Sequence, residues 1–444
     1  MIYSSNWILA LTGRAFTAIF FVASLSACSI LPSMSSLPSF LGGGTVKPQP
    51  AELPPNPALM GVRQAWTARV GEVNLPLTVN VSGNTVAVAS SDGAVVAFDA
   101  ATGRDLWRAS AGAPIAAGVG SDGNLTAVVT RANEVVVLAA GKPLWRQKLA
   151  AQSFTAPFVA GGRVFVLAAD RSVSAFEGQT GRKLWTQQRP GEPLVLRQAG
   201  VILAVGDTLV VGQAGRLAGL NPTNGSVRWE APIASPRGTN DIERLVDLVG
   251  SVSRVGDTVC ARAFQASVGC VNAARGALLW AKPANGAEGV HGDERHVFGS
   301  ESDGKLVAWR RDSGERAWVT DRLQYRGLTA PLAVGRSVLV GDNTGLVHVL
   351  SREDGSLLTR LQTDGSPVVA APVVAGNTIV VVTRNGGVYG FVPQGCWPPR
   401  LSLRVLRCPP RGRRPPWGGP AEVWPLEAGH RPGGASERRQ IDPL

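Results

Sequence analysis

Short runs of alternating apolar and polar residues, separated by turn signals, fill the chain from about residue 62 to residue 393. In one representative stretch the runs are Ala156–Val159, Arg163–Ala168 and Ser172–Phe176, and Lys183–Thr186 begins a fourth. Alternation over four to six residues, bounded by Gly, Asp and Asn, is typical of strands joined by tight turns. The pattern predicts four antiparallel strands per unit.

A glycine four residues before a tryptophan marks each unit. The pairs are Gly103/Trp107, Gly141/Trp145, Gly181/Trp185, Gly225/Trp229, Gly276/Trp280 and Gly314/Trp318, and a seventh copy, Gly355/Thr359, lacks the ring. Successive tryptophans are 38 to 51 residues apart. Four strands in a period of about 40 residues predict the blades of a β-propeller.

The strand triplets predict eight blades. They begin near Leu77, Pro114, Ala156, Val201, Val252, Val290, Ala330 and Ala371. The last triplet lacks a fourth strand, while Val62–Val70 is a lone strand with its own Trp66. We therefore predict an all-β, eight-bladed propeller at residues 62–393, closed by pairing of the N-terminal strand with the last blade, so that no open sheet edge remains. An open solenoid is the alternative.

The repeated tryptophans predict a packing device. A large ring at a fixed place in each blade can bury apolar area against the neighbouring blade. We assign this structural role to Trp107, Trp145, Trp185, Trp229, Trp280 and Trp318. A second glycine recurs fourteen residues before the ring, as in Gly93, Gly215, Gly304 and Gly345, and predicts a tight hairpin turn with positive φ.

The N-terminal residues resemble a bacterial lipoprotein signal. Arg14 precedes a short apolar core, Ala15–Ala23, which is too short to span a membrane. Leu25-Ser26-Ala27-Cys28 is similar to a lipobox, in which small residues precede a cysteine that is acylated. Residues 1–27 are then a signal peptide, and residues 28–61, rich in Pro, Ser and Gly, are a tether between lipid and domain. Ser29, which follows the cysteine, implies sorting to the outer membrane. The alternative to a lipobox is an ordinary signal peptide in which Cys28 occurs by chance.

The C-terminal residues 394–444 show neither strand nor helix period. We interpret them as a disordered or aberrant tail, because they contain nine Arg, ten Pro and no Lys.

The net charge of the whole chain is +12, of which the tail carries +5 and the signal peptide +1. The remaining +6 is moderate for this length, and no nucleic-acid motif is present, so nucleic acid is not an expected partner.

No pattern of residues indicates catalysis, a metal or a cofactor. The histidines lack partners at metal-ligand spacing, and no nucleophile, Walker or HExxH motif occurs. His291 and His296, with Asp293 and Glu294, form one polar cluster, which we interpret as a solvated turn. Cys260 and Cys270 flank a predicted hairpin, and a disulfide between them requires the correct cross-strand register.

The repeated Thr-Gly-Arg-x-Leu-Trp turn, as in Thr102–Trp107 and Thr180–Trp185, resembles the repeats of pyrroloquinoline-quinone dehydrogenases. That resemblance implies an alternative function, a periplasmic redox propeller. Members of that class have adjacent cysteines and a longer chain, whereas this sequence contains no adjacent cysteines. The sequence therefore favours a protein that is not an enzyme.

The lipobox, the tether and the eight quinoprotein-like repeats together resemble the BamB family, the lipoproteins of the outer-membrane β-barrel assembly machine. Gly191–Gly200 is similar to the family's Leu-x-Leu-Arg segment, here Leu194, Leu196 and Arg197. Asn240–Gly250 is similar to a second family segment, in which Arg244 and Asp247 match and Val249 replaces an aspartate.

The resemblance implies that both segments dock a POTRA domain of BamA, the barrel-inserting protein. It implies further contacts with other members of the complex and with unfolded outer-membrane proteins, and a lipid-anchored position on the periplasmic face of the outer membrane. Two structural alternatives stay open. Leu194 and Leu196 can belong to the first strand of blade 4, and Asn240–Val249 can form an amphipathic helix.

The lipobox predicts the location of the protein. Changing Cys28→Ala removes the acylation site, so the mature chain should move from the membrane pellet to the soluble periplasmic fraction, because acyl chains supply the expected anchorage. Fractionation with immunoblotting measures this change, and Ser29→Ala is the matched control. Persistent membrane association of the Cys28 variant contradicts the lipid anchor.

Overall fold

The computed structural model describes residues 48–189, 195–235 and 246–394, and every regular element in those ranges is a β-strand. The predicted signal peptide, Cys28, Leu194, Arg244 and the tail from residue 395 lie outside the described residues. Within the described ranges there is no helix long and apolar enough to cross a bilayer.

The strands form eight antiparallel sheets of four, one per blade. The first strand, β1 (Val62–Arg69), belongs to blade 8, whose other strands come last in the chain. Blade 1 comprises β2 (Asn80–Ser82), β3 (Thr85–Ala89), β4 (Ala94–Asp99) and β5 (Asp105–Ser110). Blade 2 comprises β6 (Ile115–Ser121), β7 (Leu125–Thr130), β8 (Glu134–Ala139) and β9 (Lys142–Lys148). Blade 3 comprises β10 (Phe158–Ala160), β11 (Arg163–Leu167), β12 (Val173–Glu177) and β13 (Lys183–Gln187).

The second half repeats this arrangement. Blade 4 comprises β14 (Ile202–Val205), β15 (Thr208–Gln213), β16 (Arg216–Leu220) and β17 (Val227–Pro232). Blade 5 comprises β18 (Leu248–Val255), β19 (Thr258–Ala263), β20 (Ser267–Asn272) and β21 (Ala277–Pro283). Blade 6 comprises β22 (Val290–Gly292), β23 (His296–Ser300), β24 (Leu306–Arg310) and β25 (Arg316–Thr320). Blade 7 comprises β26 (Leu332–Val334), β27 (Ser337–Gly341), β28 (Leu346–Ser351) and β29 (Leu357–Gln362). Blade 8 is completed by β30 (Val373–Ala375), β31 (Thr378–Val382) and β32 (Gly387–Pro393).

The two ends of the propeller meet in blade 8, where β1 pairs antiparallel with β32. The register runs from Val62 opposite Pro393 to Arg69 opposite Gly387. The predicted eight blades and the predicted closure are therefore confirmed, and the open solenoid is excluded.

The inner strands are buried on both faces because each blade is packed between two others. In β11, Val164 and Val166 pack with the residues of blade 2, whereas Phe165 and Leu167 pack with Leu209 and other residues of blade 4. Alternate residues of one strand thus supply two different cores, which explains why these strands are apolar at nearly every position.

The tryptophan of each outer strand lies on the turn glycine of the next blade. The contacts are Trp66 on Gly103, Trp107 on Gly141, Trp145 on Gly181, Trp185 on Gly225, Trp229 on Gly276, Trp280 on Gly314 and Trp318 on Gly355. Nε1 donates to a carbonyl of that next blade, at 2.7–3.1 Å, from Trp66, Trp145, Trp185, Trp280 and Trp318. The glycine and the tryptophan of one repeat therefore serve two different interfaces.

Thr359 replaces the ring in blade 7 for a structural reason. The ring would need a turn glycine in blade 8, but the two outer strands of that blade, β32 and β1, are not joined by a turn. The N-terminal segment Ala51–Met60 instead follows β29, where the Leu59 amide donates to the Leu358 carbonyl at 2.8 Å. The sequence predicts only a tether up to residue 61, whereas the structure shows this part packed on blade 7.

Gly181→Ala tests the contact between blades. Gly181 has φ +72°, and a β-carbon there would lie 2.5 Å from Cδ2 of Trp145. The matched control Gly206→Ala has a similar φ of +57° with open space around it. We expect each variant to lose about 1 kcal/mol from the backbone conformation and Gly181→Ala a further 1–3 kcal/mol, roughly, from overpacking. Urea unfolding measures both, and equal losses contradict the proposed contact.

Candidate functional site

The connections between blades and the turns between second and third strands surround a cavity at one end of the ring. Its volume is about 820 Å³, and its lining includes residues that precede or turn within six of the eight blades. Two of its lining stretches, Arg197–Ala199 and Val249–Gly250, belong to the segments that the sequence singles out. This end of the ring is therefore the candidate functional surface.

Residues 195–200 precede blade 4 and are held by hydrogen bonds to two neighbouring blades. The Leu196 amide donates to Oδ2 of Asp247 at 2.9 Å, and the Gly200 amide donates to Oγ1 of Thr155 at 2.9 Å. The Ala199 carbonyl accepts from the Gly250 amide at 2.9 Å. The segment has no regular secondary structure, yet its backbone is fixed on both sides.

Asp247 connects the two predicted segments. Besides the Leu196 amide it faces the guanidinium of Arg171, whose Nη2 lies 3.6 Å from Oδ1. Both side chains are largely buried, with exposed fractions of 16% for Asp247 and 7% for Arg171. The aspartate thus holds residues 195–200 from within and exposes little of its own surface.

Sequence reasoning missed Arg171. It occupies the turn position fourteen residues before Trp185 where four other repeats carry glycine, and its φ is +63°. A non-glycine residue in that conformation costs about 1–2 kcal/mol, and at Arg171 the guanidinium lies beside the carboxylate of Asp247. The departure from the glycine pattern was visible in the sequence.

Arg197 and Leu196 form the accessible part of this surface. Arg197 is exposed, with its guanidinium carbon 5.9 Å from the centroid of the Phe154 ring. That distance permits a cation–π contact which orients the side chain. Leu196 is half-buried and lines a pocket of about 50 Å³ together with Phe154, Arg171 and Asp247.

The structure decides between some of the alternatives for these segments. Blade 4 begins with β14 at Ile202, so Leu196 does not belong to its first strand. In the second segment Leu248 and Val249 start β18, so no amphipathic helix reaches Val249. Leu194 and Arg244 lie outside the described residues.

Cys260 and Cys270 stand directly opposite each other in β19 and β20, and a disulfide joins them. Both are fully buried between blades 5 and 6, and Nη1 of Arg311 lies 3.2 Å from Sγ of Cys260. The bond is part of the packed core and lies away from the candidate surface.

The histidine cluster is more buried than a solvated turn would be. His296 has an exposed fraction of 9%, and its amide donates to Oδ1 of Asp293 at 2.8 Å. The other carboxylate oxygen of Asp293 lies 3.1 Å from Nη1 of Arg352. Burial lowers the pKa of both His291 and His296. These contacts stabilise the turns of blades 6 and 7, and no group of three or more metal-ligating side chains occurs among the described residues.

A second buried cluster joins blade 7 to the N-terminal segment. Oδ2 of Asp342 accepts from Nε of Arg326 at 2.8 Å and lies 2.9 Å from Nε2 of His348. Burial raises the pKa of Asp342, but hydrogen bonds from His348, the Leu346 amide and Arg326 outweigh it and hold the pKa far below its usual range. Arg326 also donates to the Ala51 carbonyl at 3.0 Å.

The fold and its surface define a class: closed eight-bladed β-propellers that present ordered connecting segments around a cavity at one end. A family model described as outer membrane protein assembly factor BamB matches residues 63–320 and 324–393. The chain belongs to the BamB family of outer membrane protein assembly factors.

Individual relatives agree with this assignment. The chain is 40% identical to outer membrane protein assembly factor BamB of Burkholderia pseudomallei, over 76% of this chain and 89% of that protein. It is 39% identical to the protein of the same name from Bordetella pertussis, with the same coverage. These relatives bear the name of an assembly factor and not of an enzyme.

Solved structures show the shared fold. BamB from Moraxella catarrhalis superposes with a TM-score of 0.69 at 24% identity, over 74% of this chain and 99% of that chain. A quinohemoprotein alcohol dehydrogenase from Comamonas testosteroni superposes with a TM-score of 0.58 at 14% identity, over 78% of this chain and 79% of that chain. The second likeness concerns the propeller alone and lends no support to the dehydrogenase alternative.

Asp247→Ala tests how residues 195–200 are held. Loss of the carboxylate removes the acceptor of the Leu196 amide, so we expect amide exchange in residues 195–200 to accelerate about tenfold. The free energy of unfolding should fall by about 1–2 kcal/mol. Hydrogen-exchange mass spectrometry measures the first effect. Asp257→Ala, an exposed aspartate in blade 5, should leave exchange unchanged, and unaltered protection in the Asp247 variant contradicts this role.

Proposed function

We propose that the chain is a non-enzymatic scaffold of the outer-membrane β-barrel assembly complex that docks a periplasmic POTRA domain of BamA. The docking surface consists of residues 195–200 and 246–250. The single observation that supports the proposal most is the hydrogen bond between Leu196 and Asp247, because it joins two segments that are 51 residues apart in the chain.

The composition of this surface suits a protein partner. Arg197 is exposed and Leu196 half-buried beside the Phe154 ring, which gives an apolar anchor next to a positive charge. Interfaces favour arginine and large apolar groups at their centre. The backbone is already fixed by blades 3 and 5, so little conformational entropy is lost when a partner binds.

The attachment to the membrane is also proposed. Cys28 would carry the lipid, and residues 29–47 would link it to the ordered segment that begins the described chain. Ala51 is hydrogen-bonded to Gln324 and Arg326, in the connection between blades 6 and 7. Connections between blades lie at the same end of the ring as the docking surface. The tether would therefore leave the protein beside that surface and hold it at the periplasmic side of the outer membrane.

Arg197→Glu tests the docking function. The exposed side chain can be reversed in charge without loss of packing, and we expect the affinity for the periplasmic domains of BamA to fall at least about tenfold, as at a central arginine of an interface. Copurification from envelopes and a titration with the purified BamA domains measure this effect.

Arg104→Glu is the matched control, because Arg104 is also exposed but lies in a turn at the opposite end of blade 1. Both variants should keep the melting temperature of the wild type. Unchanged binding by the Arg197 variant removes the docking proposal, and recovery of a bound quinone would favour the dehydrogenase alternative instead.

A further inference from the structure

Glu288 is a carboxylate that the described fold leaves without a partner. It lies in the connection that leads into blade 6, and it lines the cavity of about 820 Å³. The side chain is half-buried, and within the described residues the charge of Arg262 acts on its carboxylate but no hydrogen bond reaches it. A partly buried charge without hydrogen bonds is costly unless a partner compensates it.

Glu301, a second carboxylate that lines the cavity, has hydrogen-bond donors for both of its oxygens. Oε1 of Glu301 accepts from both Nη atoms of Arg262 at 3.0 Å, and Oε2 accepts from the Asn285 amide. Arg262 is fully buried, so this ion pair is a structural element of blades 5 and 6. Glu301 has used its acceptors, and Arg262 is committed to it. Among the described residues that line the cavity, Glu288 is the one carboxylate without a hydrogen-bond partner.

Electrostatics agree with this geometry. Burial raises the pKa of Glu288, and the charge of Arg262 offsets the effect only in part. A cation placed beside the carboxylate would restore the favourable environment that the protein itself does not supply.

We propose that Glu288 anchors a binding site for a basic side chain, lysine or arginine, which a docked protein inserts into the cavity. That the basic side chain comes from a docked protein rests on the proposed docking function. That the site prefers a basic group follows from the residues of the cavity alone.

Three observations favour a side chain from a docked protein. First, Gln198, Ala199 and Val249 line both the pocket beside Leu196 and the cavity, so a partner docked at the pocket also covers the cavity. Second, the cavity lining includes apolar groups, which suit the aliphatic stem of a long basic side chain. Third, a divalent cation would require more oxygen ligands than one free carboxylate, and no cluster of three acidic or histidine side chains occurs among the described residues.

Two arginines also line the cavity, and they define the opposing possibility. Arg197 and Arg384 are both exposed to solvent, where water already compensates their charge. An acidic ligand would therefore gain less from them than a basic ligand gains from the half-buried Glu288. The experiment below includes an acidic probe for this reason.

The test uses the full chain and three short peptides, Ac-Gly-Gly-Xaa-Gly-Gly-NH2, in which Xaa is arginine, its neutral isostere citrulline, or glutamate. We expect the wild type to bind the arginine peptide about tenfold more tightly than the citrulline peptide, by NMR titration. Glu288→Gln should abolish that discrimination. The same substitution should raise the melting temperature, because it keeps the shape of the side chain and removes the charge of a half-buried carboxylate that accepts no hydrogen bond.

Glu301→Gln is the matched control, and it should lower the melting temperature because it leaves Arg262 without its carboxylate. The proposal is overturned by equal or absent binding of the arginine and citrulline peptides, or by discrimination that survives Glu288→Gln. Preference for the glutamate peptide, or stabilisation by CaCl2 that depends on Glu288, assigns the site to another ligand and also overturns it. A fall in melting temperature for Glu288→Gln equal to that of Glu301→Gln makes Glu288 structural. None of these outcomes depends on BamA, so they are independent of the Arg197 test.

Discussion

The contact between a tryptophan ring and the turn glycine of the next blade is the constraint on which the architecture depends. It fixes the position of each blade against its neighbour, because the indole fits only where no side chain stands and its N–H reaches a carbonyl of the same turn. Repeated from Trp66 to Trp318, it sets the spacing of the ring, and the cores between blades fill the remaining space with small branched side chains.

The sequence predicted the fold well because its information is periodic. Alternation, turn glycines and the repeat length of about 40 residues are local signals, and the missing fourth strand at residue 391 pointed to closure by Val62–Val70. The threonine at position 359, in place of a tryptophan, also indicates that the ring closes in this way. It marks the blade whose successor has no turn to receive a tryptophan.

The candidate site was less predictable because its contacts are not periodic. The resemblance located Leu196, Arg197 and Asp247, but the pairing of Asp247 with Arg171 depends on how blades 3 and 5 lie around blade 4. The segment Ala51–Met60 was hidden for a related reason. A Pro-rich stretch that follows an existing edge needs no alternation of its own, so composition alone suggested a simple linker.

The path of Ala51–Met60 has a mechanical consequence. Asn56 accepts from the Arg360 amide at 3.0 Å, and Ala51 is bonded to Gln324 and Arg326, all before the chain enters β1. A pulling force applied to the N terminus therefore loads blade 7 first and reaches the β1–β32 seam only after these bonds break. The segment therefore shields the seam that closes the ring from tension applied through the N terminus.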